Sequence, residues 1–538
     1  MTPLLPDLLT ELAADFRWLR RQFGLDGSPE QALRLRRLLD TWDERLAALP
    51  PADLSREDQL DRLLGLNWLT LQRSRLERDL ARQAEVVGLA PFLAPLAALD
   101  DQRRRMDDLD ARAAAGILAQ AAADATEAAK QAAETAVGGI LRGRTVRAVE
   151  RVSGALGDFD TFYRTYDPAY DWWCGQPMAA LRSALDGYAA EQKKLAGLDD
   201  ESVILGDPIG RDGLLAELAA TWVPYDPETL LAEGRRQMEF CYAELRAAAA
   251  DMGLGDDWRA ALERVKNDHV KPGDQPALIR ALAEDAIAYL EAEELLTIPA
   301  TARDGWRMSM MSAERQKVNP FFLGGEQIIV SFPTADMPNA AKLMSLRGNN
   351  RHFCRATVQH ELIPGHFMQS YWGDRRNGHR RLFYNPFWVE GWPLHWELLL
   401  YERGYAQSPE NRVGMLFWRL HRAARIVFSI EFHLGLRSGE ECVAMLVDEV
   451  GHEPDNARGE VRRSLGGDYD ALYQAAYLLG GLQVRRAYQE ALAQGISPRA
   501  FHDGFIQAGC MPIAAARALL LGLPIDEAAL RGWRFLDG

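Results

Sequence analysis

The chain has 538 residues, 48% of them hydrophobic and 26% charged, the make-up of an ordinary water-soluble protein with room for more than one core. With 77 acidic against 62 basic side chains, a formal net charge of −15, it excludes nucleic acid as the main partner, because phosphate binding needs clustered positive charge. No run reaches ~18 apolar residues, so no membrane span is expected. The start, Met1-Thr-Pro-Leu-Leu-Pro-Asp7, lacks the basic and apolar segments of a signal peptide. Five cysteines without a C-x-x-C pair suit reduced thiols, and the expected location is cytoplasmic.

Residues 1–205 read as one helix after another and form an expected N-terminal helical lobe. Leu8, Leu9, Leu12, Phe16 and Leu19 recur at helical spacing. Ser55, with Asp58 three residues on, reads as the N-cap of a helix running to about Arg82. Residues 107–150 are alanine-rich with scattered charges, which predicts a long helix. Glycines and a proline in Gly206-Asp-Pro-Ile-Gly-Arg-Asp-Gly213 mark a boundary, and 206–538 is the expected catalytic lobe, unless the chain is one continuous domain. Helices are predicted from Pro227 to Met252, Trp258 to Lys266 and Asp274 to Glu294. Glu326-Gln-Ile-Ile-Val-Ser-Phe332, closed by Pro333, is the one clear β signal and predicts a short ribbon near the site. From Ala340 onward helices dominate. The fold class is therefore mainly α: a large, two-lobed helical body with a deep cleft.

The chemistry concentrates in Val358-Gln-His360-Glu361-Leu-Ile-Pro364-Gly365-His366-Phe-Met-Gln369. A zinc-peptidase helix places two histidines four apart with a glutamate beside the first. Here they are six apart, and on a regular helix residues so spaced differ by roughly 120°, against roughly 40° for four. They share no face unless the helix is distorted. Pro364 has no N–H for the carbonyl of His360, and Gly365 accepts angles that other residues resist, so the pair supplies the kink. Catalytic zinc takes three protein ligands. After His360 and His366, the third is sought in Trp388-Val-Glu390-Gly-Trp392-Pro393-Leu-His-Trp-Glu397, where Pro393 suits a first helical turn. Glu390 is favoured; Glu397, two turns later on the same face, is the alternative ligand or a group that orients a histidine. Glu361 is then the general base toward a metal-bound water. His433 and Tyr477 are candidate donors to a developing oxyanion.

Each choice has a plainer rival. A lone histidine is more often a satisfied core or surface residue, and His269, His352, His379, His421, His452 and His502 are read so. Cys354 is more readily a buried thiol than a soft ligand. Arg351, Arg355, Arg425, Arg463 and Arg485 are available to grip a substrate carboxylate, though ion pairing explains any one of them.

His360-Glu-Leu-Ile-Pro-Gly-His366-Phe-Met-Gln369, followed by Glu390-Gly-Trp392, resembles the bacterial family catalogued as domain of unknown function 885. Leu54–Arg62, the stretch ending at Gly234, Tyr477-Leu-Leu-Gly480 and Arg499–Asp503 resemble its other segments, so that the likeness covers roughly residues 50 to 525. The resemblance implies a gluzincin-type zinc metallopeptidase, like the helical thermostable carboxypeptidases, oligopeptidases and dipeptidyl peptidase III. On it, His360, His366 and Glu390 hold one Zn2+, Glu361 is the base, and His433 and Tyr477 match a later His and Tyr. Two departures stand near the expected cleft: Ser429-Ile-Glu-Phe-His433 replaces an Asp-x-Gly-x-His pattern, and Pro393-Leu-His395 replaces Ala-Leu-Tyr. The expected function is zinc-dependent hydrolysis of short peptides. The alternatives are a scaffold that binds metal or peptide without turnover, and a metal hydrolase of another amide or ester.

Overall fold

The computed structural model describes residues 5–536 apart from 24, 26–27, 201–202, 317–318, 320 and 468, so the first four residues of the start read above lie outside the described residues. The mainly α class holds: helix follows helix from Leu5–Gln22 to Glu527–Arg531, and the strands among the described residues are Met308–Met310 and Ile328–Val330. By its internal contacts the chain divides into two units, Met1–Asp53 with Gly65–Asp207, and Leu54–Leu64 with Pro208–Gly538.

In the first unit, Leu8, Leu9 and Leu12 of Leu5–Gln22 are buried, as their spacing requires. The alanine-rich stretch departs from the single long helix predicted. It forms Ala111–Gln131 and Gly139–Tyr163, because Thr135 is extended (φ −84°, ψ 113°) and Gly138-Gly139 disfavour helix propagation. Asp110 caps the first of these by accepting the backbone N–H groups of Arg112 and Ala113 at 3.0 Å each. Its face of Ala114, Ala115, Leu118, Ala121, Ala122 and Ala125 is buried against Pro168–Leu195, where small side chains let two backbones approach.

The second unit is built around Pro409–His433, buried almost continuously from Val413 to His433. It packs on Pro227–Asp251, Arg351–Glu361 and Tyr473–Ala493. Residues 54–64 belong here for a polar reason. Ser55 caps the helix Arg56–Leu89 by accepting the Asp58 N–H at 3.1 Å, and Asp61, buried, accepts from Arg380 Nε at 2.7 Å and pairs with His379 Nε2 at 2.8 Å. The β signal forms a two-stranded parallel ribbon, Met308–Met310 on Ile328–Val330. The loop before its second strand lines the cavity described below.

Candidate functional site

Helix Arg351–Glu361 starts at Asn350, whose side-chain oxygen accepts the N–H groups of His352 and Phe353 at 3.0 and 2.9 Å. It stops one residue past His360. Leu362 has left helical angles (φ −107°, ψ −110°), the Ile363–Pro364 bond is cis, and a second helix, His366–Gly373, begins directly after Gly365. The sequence predicts a kink here; the structure makes a full break. Gly365 donates its N–H to the Gln359 carbonyl at 3.1 Å. A Cβ on Gly365 would overlap the carbonyl group of His360 and come within 2.8 Å of the Gln359 oxygen, so only glycine lets the chain double back this closely. The imidazoles of His360 and His366 end 5.0 Å apart between centroids, crossed at 81°.

Glu390 reaches them from helix Pro386–Glu402. Pro393 is interior to that helix and does not open it, contrary to its reading as a first-turn residue. The first turn belongs to Pro386, because Asn385 before it caps the Phe387 N–H at 2.9 Å. Gly391 meets Gly480 of Tyr473–Ala493: a Cβ on Gly391 would lie 2.5 Å from the Gly480 carbonyl carbon. Trp392 donates its indole N–H to the Pro364 carbonyl at 2.7 Å and so fastens the break between the histidines. Glu390, Gly391 and Trp392 thus serve as a facing carboxylate, a close helix crossing and a clamp.

Glu390 Oε2 lies 3.6 Å from His360 Nε2 and 3.3 Å from His366 Nε2. Ligands about 2.0–2.2 Å from one ion in tetrahedral array are separated by roughly 3.4 Å, so these edges fit a shared cation. Glu390 Oε2 is buried and accepts no hydrogen bond of good geometry, an orphaned acceptor that such an ion would satisfy. Glu361 also groups with the two histidines, one ligand atom of each lying within 4.8 Å of the others.

The remaining ring nitrogens are held. His360 Nδ1 meets Glu397 Oε1 at 2.6 Å, and His366 Nδ1 meets Gln369 Oε1 at 2.9 Å, while Gln369 Nε2 donates to the Trp388 carbonyl at 3.1 Å. Glu397 therefore takes the orienting role of the two considered for it. Burial opposes charge on every one of these groups. Even so, the two imidazoles hold the Glu390 carboxyl well below the usual range, and Glu390 pushes His366 up to about 9. The pocket is built to keep that carboxylate facing positive charge. Burial raises the Glu361 carboxyl, which favours a group that takes up and gives back a proton.

His360, Glu361, His366, Gln369 and Glu390 line a cavity of about 690 Å³ that also exposes Phe321–Glu326, Trp388, Trp418, Arg422, Arg425, Arg463, Tyr469, Tyr473 and Tyr477. A family model described as "Bacterial protein of unknown function (DUF885)" matches residues 23–520. The chain belongs to this family. Among solved structures, a candidate lipoprotein of unknown function from Shewanella oneidensis is similar over 97% of this chain and 100% of its own, at 15% identity and a TM-score of 0.69. A candidate lipoprotein from Colwellia psychrerythraea is similar over 96% and 98%, at 14% identity and a TM-score of 0.60. Both likenesses establish the fold alone. No curated protein matches.

In this DUF885 chain Tyr477 joins the site. Its ring stacks on His360 at 6.1 Å between centroids, its hydroxyl accepts from Arg463 Nη2 at 3.4 Å, and burial pushes its pKa up to about 12. His433 is not among the residues that line the cavity. It ends Pro409–His433, eight residues and thus roughly 12 Å along the helix from Arg425, which does line the cavity. Ser429 turns its hydroxyl back to the Arg425 carbonyl at 2.6 Å. Of the histidines set aside, His352 pairs with Asn411 and Asp268, His379 with Asp61, His421 with His452, and His502 with His395, while His269 meets the Val270 carbonyl. Cys354 is a buried thiol on the Asn349 carbonyl. Arg351, Arg355 and Arg485 pair with Asp268, Asp285 and Glu402. Sequence reasoning missed Tyr473, whose hydroxyl donates to Glu390 Oε1, and Arg422, 3.5 Å from Glu397. A signal for Tyr473 existed in its place one helical turn before Tyr477.

Proposed function

We propose that the protein is a zinc-dependent hydrolase of short peptides. The observation that carries this reading is the convergence of His360 Nε2, His366 Nε2 and the orphaned Glu390 Oε2 at tetrahedral edge lengths, with Glu361 beside them in a cavity. A bound Zn2+ supplies Lewis-acid polarisation of the scissile carbonyl and a water acidic enough to attack near neutral pH. Glu361 takes the proton of the attacking water on its carboxylate and delivers it to the leaving amine. Tyr477, whose hydroxyl accepts from Arg463 and so keeps its own proton to give, stands as the donor to the carbonyl oxygen as it gains charge. Glu397 and Gln369 fix the ring orientations of the two histidines.

The test is metal analysis of the purified protein with a peptide-library digest. Stoichiometric zinc, lost in His360→Ala, and cleavage of short peptides are expected. Zinc-free wild type, or a His360→Ala variant of unchanged metal content, refutes the site. Glu361→Gln retains the metal and loses about 10²–10⁴-fold in turnover; full turnover by this variant removes Glu361 as the base. His433 lying off the cavity favours one second reading, a scaffold without turnover, which tight peptide binding by fully loaded protein with no cleavage would establish.

A cytoplasmic location is part of the proposal, supported by five free thiols, four of them buried. Among the described residues, no helix is long and apolar enough to cross a membrane. The two similar structures are described as candidate lipoproteins, so fractionation of cells expressing the chain decides, and recovery in the membrane pellet overturns this location.

A further inference from the structure

Beside the histidines, one wall of the cavity is formed by three arginines whose N–H groups are only partly used. Arg422, Arg425 and Arg463 all line it. Two carboxylates lie within ion-pair distance of them, and Glu361 on the same cavity acts on Arg422 from farther off. Glu460, fully buried, is engaged by Arg425 Nη2, and Glu397, 3.5 Å from Arg422 Nη2, is already committed to His360 Nδ1 at 2.6 Å. Arg463 has no carboxylate of its own. Its Nη1 is 4.0 Å from Glu460, its Nη2 makes a long 3.4 Å bond to Tyr477, and its Nε is buried with no partner. The Nε of Arg422 and the Nε and Nη1 of Arg425 are likewise buried and unpartnered. A purely structural ion-pair network would match each guanidinium to a carboxylate, since a buried charge left short of partners is costly. Unpartnered N–H groups on all three guanidiniums, with Arg463 at the margin of its one carboxylate contact, leave a place for one more anion.

We propose that Arg463, backed by Arg425 and Arg422, binds the free C-terminal carboxylate of a peptide, making the enzyme a carboxypeptidase. The inference rests on the hydrolase reading. Geometry selects the class. The Tyr477 ring lies 6.1 Å from the His360 ring, and its hydroxyl touches Arg463. Guanidinium and imidazole are therefore separated by little more than one tyrosine side chain, a span covered by one to three extended residues at ~3.4 Å each. A guanidinium suits the task because its fixed fork matches a carboxylate through two N–H···O bonds.

The experiment is calorimetric binding of an N-acetylated tripeptide, as free acid and as C-terminal amide, to zinc-loaded Glu361→Gln protein. The acid binds at least about tenfold more tightly than the amide, the range of a hydrogen bond to a charged group. Arg463→Gln brings the two within about twofold, and Arg463→Lys, which keeps the charge but not the fork, falls between. Equal affinity of acid and amide, or no binding of either, overturns the subsite, and that comparison needs no arginine variant to fold. Digestion by the wild type separates the two claims. An acid peptide that binds but is never cut removes the hydrolase reading and leaves the subsite. Internal cleavage with no preference for the acid does the reverse.

Discussion

Gly365→Ala tests the reasoning about the break between the histidines most directly. The added Cβ would overlap the His360 carbonyl group and stand 2.8 Å from the Gln359 oxygen. Restoring ordinary C···O contact of ~3.3 Å to Gln359 alone requires a shift of ~0.5 Å, and relieving His360 requires more. Both clashing groups are backbone, so no side chain can swing aside. Overpacking of this kind costs about 1–3 kcal/mol, and the upper end applies because Trp392 also clamps the turn through Pro364. For a cooperative unit of about 340 residues, roughly 0.7 kcal/mol shifts the midpoint by a degree, so 3 kcal/mol lowers it by about 4 °C. The same shift exceeds the ~0.2 Å tolerance of metal–ligand distances. Thermal unfolding of metal-free protein reads the first effect, and metal content after equilibration with zinc reads the second. A Gly365→Ala protein with wild-type midpoint and wild-type zinc content would refute the argument.

Three further outcomes are expected. Trp392→Phe keeps the ring that stacks on Phe505 at 5.6 Å but strands the Pro364 carbonyl, costing about 1–3 kcal/mol by denaturant titration; an unchanged midpoint would show that the clamp is dispensable. Glu397→Gln weakens zinc binding about 10-fold, the low end for an orienting partner because the amide oxygen still accepts from His360, and chelator competition measures it. Acid destabilises the protein through His452 and His502, whose pKa values burial lowers from 6.5 to about 3. Both are neutral in the fold and protonate on unfolding, so their full contribution is present above 6.5 and is lost as pH falls from there toward 3. Calorimetric proton uptake on unfolding within that window checks this, and its absence would contradict the buried-neutral assignment.

What the sequence made legible is what depends on near neighbours in the chain. Pro364-Gly365 announced a departure from the helix because both residues act on their own backbone, and the structure breaks there. Ser55 before Asp58 announced a cap for the same reason. What was not legible concerns partners that only tertiary packing supplies. Asp61 joins its helix start to the second unit through Arg380, 319 residues away, which no local pattern encodes. His433 was plausible by residue type, yet helix length carries it beyond the cavity wall that Arg422 and Arg425 form from the same helix. Pro393 looked like a helix start because proline favours first turns, but Asn385-Pro386 offers both a cap and a proline.

The six-residue histidine spacing follows from how three separate glycine positions act together. Gly365 lets the chain fold back onto the His360 carbonyl, and Gly391 and Gly480 let the Glu390 helix lie backbone to backbone on the helix that carries Tyr473 and Tyr477. Without the first, His366 would point roughly 120° away from His360. Without the second pair, Glu390 Oε2 would not come within 3.3 and 3.6 Å of both imidazoles, nor would Tyr473 reach its other oxygen. Trp392 couples the two arrangements, since it follows Gly391 in the sequence and donates to the carbonyl that precedes Gly365. The lengthened motif and the Glu-Gly-Trp segment are therefore one device. A change that restored a four-residue spacing by deleting Pro364-Gly365 would remove the acceptor of Trp392 and the turn together, and would destroy the site whose motif it regularises.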